Sequence, residues 1–294
     1  MAPQASETFL ALAWRRFRRN RPALFGAVFV LLLVTVAALA PVLAPHDPAE
    51  QFSAGLTDQG LPVPSTLPAS REFILGTDQN GRDLLSRIFW GARASLTVGV
   101  LANGLALGIG VLLGATAGYL GGWIGNAIMR FTDMMMAFPT LLLAIALAAI
   151  LRPSLGIIIV VIGAVYWTWI ARVVYGEVMA IRERQFVESA RAIGASSGRI
   201  IFWHILPHLM PTIIVWGTLG IANNVMLEAA LSYLGIGVQP PTPSWGGMIQ
   251  QGQNFYRAAP WLVIYPGAAI MLTVLAFNLL GDGLRDALDP YQRR

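Results

Sequence analysis

Residues 188–207 read ESARAIGASSGRIIFWHILP and form a polar, arginine-containing interruption between the fourth and fifth apolar stretches of the chain. The apolar side chains before and within its first half recur at the spacing of one helix face: Phe186, Val187, Ala190 and Ile193. Such spacing is typical of a helix with one apolar side. Because Gly194 can adopt a positive φ at little cost, we expect it to end this helix.

A second helix is predicted after the glycine. Ser196 or Ser197 can accept a hydrogen bond from a backbone N–H of the first turn and so cap this helix. Pro207 lacks a backbone N–H and clashes with the preceding turn, so we expect it to stop the helix. The stretch therefore predicts a helix-turn-helix outside the membrane.

Composition places the rest of the chain in a membrane. Hydrophobic residues make up 56% of the sequence, charged residues only 12%, and the mean hydropathy is +0.62. A soluble domain carries about 25% charged residues. Six apolar stretches approach the ~20 residues that cross ~30 Å of hydrocarbon. These stretches are 23–43, 94–118, 134–151, 155–174, 211–231 and 261–280. We therefore expect six transmembrane helices, with a kink at Pro139 in the third.

Basic residues indicate how the chain crosses the membrane. All 20 Lys+Arg residues are arginine, and they concentrate before the first span, in the loop after the fourth and after the sixth. By the positive-inside rule these regions are cytoplasmic, and an even number of spans then puts both termini inside. The net charge of +5 accordingly reflects topology and attraction to anionic membrane lipid, and it does not favour nucleic-acid binding.

Missing residue types exclude several chemistries. Without lysine the chain has no P-loop for ATP and no Schiff-base nucleophile. Without cysteine it has no disulfide or thiolate metal site. The three histidines, His46, His204 and His208, lack the spacing of a metal motif, so we expect no metal site and no catalytic residue. A multi-span protein of this kind transports something or assembles something.

The interruption resembles the EAA coupling loop of ABC-importer permeases. Two further stretches, 75–96 and 227–246, and the tail 276–290 resemble the C-type subunit of the dipeptide, oligopeptide and nickel branch of that family. The likeness extends from about residue 20 onward. Ser189 stands where the motif has its first alanine, which still permits close helix approach. His204 stands where many permeases have isoleucine, although a His-Ile-Leu-Pro ending is similar to the peptide branch.

The resemblance implies an all-α membrane protein with six transmembrane helices, the type-1 ABC importer permease fold and cytoplasmic termini. It divides the chain into a basic N-terminus (1–21), an anchor helix (22–44), an external loop (45–92), a five-helix permease core (93–282) and a tail (283–294). It also implies a heterodimer with a homologous permease, two cytoplasmic ATPases that bind ATP and Mg, and an extracytoplasmic peptide-binding protein. The expected location is the bacterial plasma membrane.

The resemblance assigns ATPase docking to residues 182–207. The residues expected to carry it are Phe186, Val187, Glu188, Ala190, Gly194, Ile205 and Pro207. Ala190 and Gly194 would allow close backbone approach, while Phe186, Val187 and Ile193 would supply apolar contact. Glu188 has two readings, a partner contact or a helix stabiliser paired with Arg184 or Arg191.

Polar residues inside apolar stretches are the candidates for a substrate path. Asn103, Asn223, Asn224, Glu228 and Asn278 should face the bundle interior or an aqueous path, and Asn223, Asn224 and Glu228 are the path candidates. A structural hydrogen-bonding role for Glu228 stays open. For Asp133, the expected ion-pair partner is Arg130.

Glycines recur in the second span at small-xxx-small spacing, namely Gly104, Gly108, Gly110, Gly114, Gly118 and Gly122. This spacing lets another helix come close. The neighbour is either a helix of this chain or a helix of a second permease.

Three functional hypotheses remain. The favoured one is an ATP-driven importer of di- or oligopeptides, with nickel as another cargo of the same permease type. A secondary transporter or channel driven by an ion gradient is the main rival, although it would need no coupling loop. A membrane scaffold that transports nothing is the third.

Overall fold

The computed structural model describes residues 9–52, 66–151 and 154–289, and this part of the chain is helical with no regular β-strand. Its elements are α1 (Phe9–Phe17), α2 (Arg21–Leu43), α3 (Leu84–Leu120), α4 (Gly122–Met136), α5 (Thr140–Ile150), α6 (Leu155–Ile181), α7 (Gln185–Ala192), α8 (Ser197–Arg199), a π-helical segment (Ile200–Ile205), α9 (Leu206–Tyr233), α10 (Trp245–Gly252), a 3-10 turn (Gln253–Phe255) and α11 (Trp261–Leu288). The all-α prediction is confirmed.

Five helical segments of the described chain are long and apolar enough to cross a membrane. They are α2, α3, α6, the run Ser197–Tyr233 that ends with α9, and α11. A bent pair, α4 with α5, makes a sixth when it is counted as one span. The predicted six spans thus correspond to five continuous helices and one broken one.

The third span differs from its expected form. In place of one helix over 134–151, α4 and α5 meet at an angle of 87°. Pro139 occupies the N-cap of α5, where a residue without an N–H is tolerated. With 11 residues, α5 is only about 16 Å long, which is too short to cross the hydrocarbon alone. The predicted kink is a complete break.

Glycines on α3 bring it into close contact with α6. A Cβ added at Gly110 would lie 2.7 Å from Cβ of Ile170, and one at Gly114 would lie 2.5 Å from the carbonyl oxygen of Ala171. The two helices can therefore lie this close only because glycine has no side chain at these positions. At Gly104 and Gly108, by contrast, an added Cβ would meet nothing within 4 Å. One glycine face thus packs inside the chain, and the other is open.

Different helix ends and loops lie at the two ends of the helix bundle. At the first, called the α7 end, Arg182 after α6 donates a hydrogen bond of 3.0 Å to the carbonyl of Gly118 near the end of α3. The first turns of α9 and the last turns of α11 lie at the same end. At the second, called the α10 end, Trp245 of α10 donates to the carbonyl of Ile88 near the start of α3, at 3.1 Å.

Two helices are longer than the apolar stretches predicted for them, 94–118 and 261–280. Helix α3 begins at Leu84, capped by the carboxylate of Asp83, so the last part of the expected 45–92 loop is helical. Helix α11 runs to Leu288, past the expected end of the core at 282.

The ion pair of Asp133 also differs from the prediction. Asp133 of α4 pairs with Arg172 of α6 and not with Arg130, so this contact joins two helices.

Candidate functional site

Helix α7 ends at a glycine turn, as predicted. Gly194 has a φ of +84°, a conformation that other residues rarely adopt. Its N–H donates to the carbonyl of Arg191 at 3.0 Å, and the N–H of Ala195 donates to the carbonyl of Ala190 at 3.1 Å. An added Cβ would meet no neighbour within 4 Å, so the requirement for glycine here is one of backbone conformation.

The buried face of α7 holds the helix on its own chain. Val187 is fully buried and Ala190 is 4% exposed, within a core cluster that includes Ile200, Ile205 and Leu209. The Val187 side chain is therefore packed inside this subunit, and its expected part in ATPase docking stays a prediction. Ile205 is buried in the same cluster and has the same anchoring role.

The exposed face is apolar at three positions. Ile193 is 86% exposed, Trp203 is 76% exposed and Phe202 is 57% exposed. We call these three residues the coupling surface. Ile193 was predicted from its helical spacing, whereas Phe202 and Trp203 were not, although two adjacent aromatic residues in a segment predicted to face water are a usable signal.

The chain after the turn does not stop at Pro207. Ser196 caps α8 by accepting from the N–H of Arg199 at 3.4 Å, as predicted. The chain then continues through the π-helical segment directly into α9, with Pro207 in the first turn of α9. Pro207 has no N–H to donate, and it follows directly on the π-helical segment, where the N–H of Leu206 donates to the carbonyl of Ile201 in an i to i−5 pattern. The run Ser197–Tyr233 is therefore one helical lever and not a short capped helix.

Aromatic and basic groups tie α7 to the neighbouring helices. The ring of Phe186 stacks on the imidazole of His208 in the first turns of α9, with ring centroids 4.6 Å apart. The guanidinium of Arg191 lies 5.6 Å from the ring centre of Tyr119. Glu188 is exposed, and within the described residues it makes no ion pair with Arg184 or Arg191. The ion pairs by which Glu188 was expected to stabilise α7 are therefore not formed.

The three residues predicted to line a substrate path differ in their surroundings. Asn223 borders an open cavity of about 500 Å³ and donates to the hydroxyl of Tyr166 at 3.0 Å. Apolar residues of α5, α6 and α9 complete the lining: Leu141, Trp169, Trp216, Met226, Leu227 and Ala230. Asn224 and Glu228 are fully buried and do not border this cavity, and their expected place on a substrate path stays a prediction.

Glu228 instead joins three segments. It accepts hydrogen bonds from Ser95 of α3 at 2.8 Å, from Ser232 at 2.6 Å and from Ser244, which precedes α10. The hydroxyl of Ser232 also accepts from the N–H of Val238 at 3.1 Å. A buried carboxylate is tolerated when donors of this kind surround it. Asn224 is held similarly, by a contact of 3.4 Å to Asn103.

The motif at 75–87 builds the α10 end. Asp78 accepts from the guanidinium of Arg82 at 2.7 Å and lies 3.3 Å from that of Arg87. Both arginines also donate to the side-chain oxygen of Gln251 in the last turn of α10. All three charged side chains are buried, so this network fixes the loop against the helix ends.

Within the described residues, no three His, Asp or Glu side chains are grouped as metal ligands.

Comparison with protein families gives two matches. A family described as binding-protein-dependent transport system inner membrane component matches residues 110–294. A second, the N-terminal TM domain of oligopeptide transport permease C, matches residues 8–60.

Curated relatives match along nearly the whole chain. The di/tripeptide transport system permease protein DppC of Pseudomonas aeruginosa is 45% identical over 94% of this chain and 90% of its own. The glutathione transport system permease protein GsiD of Escherichia coli is 43% identical over 94% and 89%. The dipeptide transport system permease protein DppC of Alkalihalophilus pseudofirmus is 44% identical over 95% and 88%.

One solved structure supports the fold. A chain of the MetNI methionine ABC transporter, in an inward-facing conformation, superposes with a TM-score of 0.57 at 17% identity. The match covers 69% of this chain and 96% of that one. At this identity the likeness concerns the fold alone.

Proposed function

The chain belongs to the family of binding-protein-dependent transport system inner membrane components, and from that premise we propose that it is the permease subunit of an ATP-driven importer of di- or oligopeptides. Relatives that are 43–45% identical and carry the names of dipeptide, di/tripeptide and glutathione permeases support the choice of peptide. The chain itself is a transport subunit, and ATP with Mg binds to partner ATPases.

The observation that carries the proposal is the coupling surface on α7 and the segment after it. Three large apolar side chains, Ile193, Phe202 and Trp203, are exposed between the end of α7 and the start of α9. Exposed apolar patches bounded by polar residues are typical of docking sites for other proteins. We assign this surface to one cytoplasmic ATPase, which places the α7 end and both termini in the cytoplasm.

Docking there is suited to moving the membrane helices. Val187 and Ala190 fix α7 to the core cluster, while Phe186 contacts His208 at the start of α9. A displacement of α7 by the ATPase therefore acts directly on the lever Ser197–Tyr233. Movement of this lever changes the cavity that Asn223 and Tyr166 border, and it thereby switches access to that cavity.

The subunit has uncovered surfaces that a second permease could contact. Gly104 and Gly108 of α3 leave room for a close helix neighbour, and the cavity at Asn223 is open on one side. We propose that a homologous permease covers this side in a heterodimer, so that the two chains enclose the path. An extracytoplasmic peptide-binding protein would deliver substrate at the α10 end.

The test is reconstitution of the complete complex in vesicles. The second permease, two ATPases and the binding protein are combined with this chain, and uptake of a radiolabelled dipeptide is measured with and without ATP. Uptake that requires ATP and is unchanged when an ionophore is added supports the proposal. Uptake without ATP that an ionophore abolishes would favour a gradient-driven carrier, and failure of any ATPase to copurify would favour a scaffold.

Substrate class is read from the same vesicles. Dipeptides, longer peptides and nickel are compared at equal concentration, each with the binding protein present. Faster uptake of nickel than of any peptide would overturn the peptide assignment while leaving the ABC permease assignment in place.

A further inference from the structure

A second cavity opens at the α7 end of the bundle, on the side where α6, α9 and α11 meet. Its volume is about 510 Å³, which lies within the ~300–1,000 Å³ of sites for small molecules. Ten residues line it: Val173, Glu177, Pro211, Thr212, Val215, Trp216, Leu219, Arg285, Leu288 and Asp289. The mixture of apolar walls with a few charged groups is typical of a ligand site.

Three of the lining residues are charged, Glu177, Asp289 and Arg285, and of these Glu177 and Arg285 do not neutralise each other. Glu177 accepts one hydrogen bond, from the hydroxyl of Thr212 at 2.8 Å. Within the described chain, neither the Glu177 carboxylate nor the Arg285 guanidinium lies within 4 Å of an oppositely charged group. A half-buried carboxylate and a guanidinium in one cavity both remain able to bind a ligand.

The cavity adjoins the candidate substrate groove. Trp216 lines both this cavity and the cavity at Asn223. On α6, residues 166, 169, 173 and 177 line the two cavities in turn, at the spacing of one helix face. The two cavities thus form consecutive parts of one groove between α6 and α9, and the charged part lies near the helix ends at the α7 end.

We propose that this cavity is an exit site for a zwitterionic dipeptide, in which Glu177 binds the peptide's ammonium group and Arg285 its carboxylate. This assignment rests on the proposed function. Charge complementarity supports it, because the cavity offers both an acidic and a basic side chain to the two charged ends of a dipeptide. Asp289, which also lines the cavity, adds a second acidic group there, and the apolar walls at Trp216 and Val215 suit the peptide's side chains. A lipid headgroup with an ammonium and a phosphate shares this chemistry.

The test uses the assembled complex without its binding protein, in nanodiscs of phosphatidylcholine and phosphatidylglycerol. Equilibrium binding is measured for radiolabelled Ala-Phe, for its N-acetyl form and for its C-terminal amide. Glu177→Gln should weaken binding of Ala-Phe about tenfold, as expected for a lost charged hydrogen bond, and leave the N-acetyl form unaffected. Arg285→Gln should likewise weaken Ala-Phe and spare the amide.

The control is Asp286→Asn, an exposed neighbour outside the cavity that should bind all three peptides as the wild type does. Equal weakening of free and modified peptides, or no weakening, overturns the assignment. Competition by added phosphatidylethanolamine assigns the cavity to lipid and also overturns it. Uptake by the wild-type complex in vesicles is measured separately, so a failure of peptide transport is distinguished from a failure of this site.

Discussion

The ring of Phe186 on α7 stacks on the imidazole of His208 on α9, with centroids 4.6 Å apart and planes inclined by 12°. Both residues lie at the surface of the α7 end, one on the docking helix and the other on the lever that continues to Tyr233. The stack is therefore a direct mechanical connection between the proposed ATPase contact and the lever that borders the substrate groove.

Removing this stack should uncouple the two motions. In Phe186→Ala the α7 helix keeps its buried anchors, Val187 and Ala190, so we expect the ATPases to copurify in normal amounts. Peptide uptake should fall several-fold while basal ATP hydrolysis continues, because an aromatic contact worth about 0.5–1.5 kcal/mol is lost. The measurement is uptake per ATP hydrolysed, and an unchanged ratio would show that motion reaches α9 by another route.

The turn at Gly194 gives a prediction about backbone conformation. Gly194→Ala must place a Cβ at a φ of +84°, which costs roughly 1–2 kcal/mol and should change the position of Ile193 relative to Phe202 and Trp203. Gly194→Asn should be milder, since asparagine tolerates the left-handed region. The expected order of ATPase retention and of uptake is glycine, then asparagine, then alanine.

Gly198→Ala is the matched control for this turn. Gly198 is exposed, has no positive φ and would meet no neighbour with an added Cβ. Uptake by this variant should equal that of the wild type. If Gly194→Ala performed as well as Gly198→Ala, the turn would have no role in coupling.

The two glycine faces of α3 predict opposite effects of the same substitution. Gly110→Ala forces a Cβ to 2.7 Å from that of Ile170, and overpacking of this kind costs about 1–3 kcal/mol. Gly108→Ala enters open space and should be neutral for the isolated chain or stabilise its helix slightly. Thermal unfolding of the detergent-purified subunit should show a lowered midpoint for Gly110→Ala alone, and equal midpoints would contradict the packing.

Orientation in the membrane can be tested with single cysteines, because the native chain has none. Ser197 at the α7 end and Thr242 near the α10 end are both exposed. In intact cells an impermeant maleimide should label Ser197→Cys only after the membrane is opened, and Thr242→Cys without opening. The reverse pattern would place the coupling surface outside and remove the basis for ATPase docking.

The sequence predicted what depends on local spacing. Hydropathy located the apolar spans, and the glycine turn at 194 followed from its position between two helical patterns. The burial of Val187 and Glu228 was not accessible in this way, because each is decided by contacts with residues distant along the chain, such as Ser95 for Glu228. The prediction that Pro207 ends the helix was wrong because the π-helical segment before it already departs from the i to i−4 hydrogen-bond pattern that a proline would interrupt, and the sequence does not reveal this departure.

Glu228 should stabilise the segment that leads to α10. Glu228→Ala removes the acceptor of three serine hydroxyls in a fully buried site, which should lower stability by about 1–3 kcal/mol. Because the Ser232 hydroxyl holds the N–H of Val238, the chain from 238 to 252 should lose protection from hydrogen exchange, while α7 keeps its own. Glu228→Gln retains the side-chain shape and one acceptor oxygen, so its loss should be intermediate. A uniform loss of protection across all helices would mean that Glu228 supports global folding, and no loss at 238–252 would mean that the serine contacts do not hold this segment.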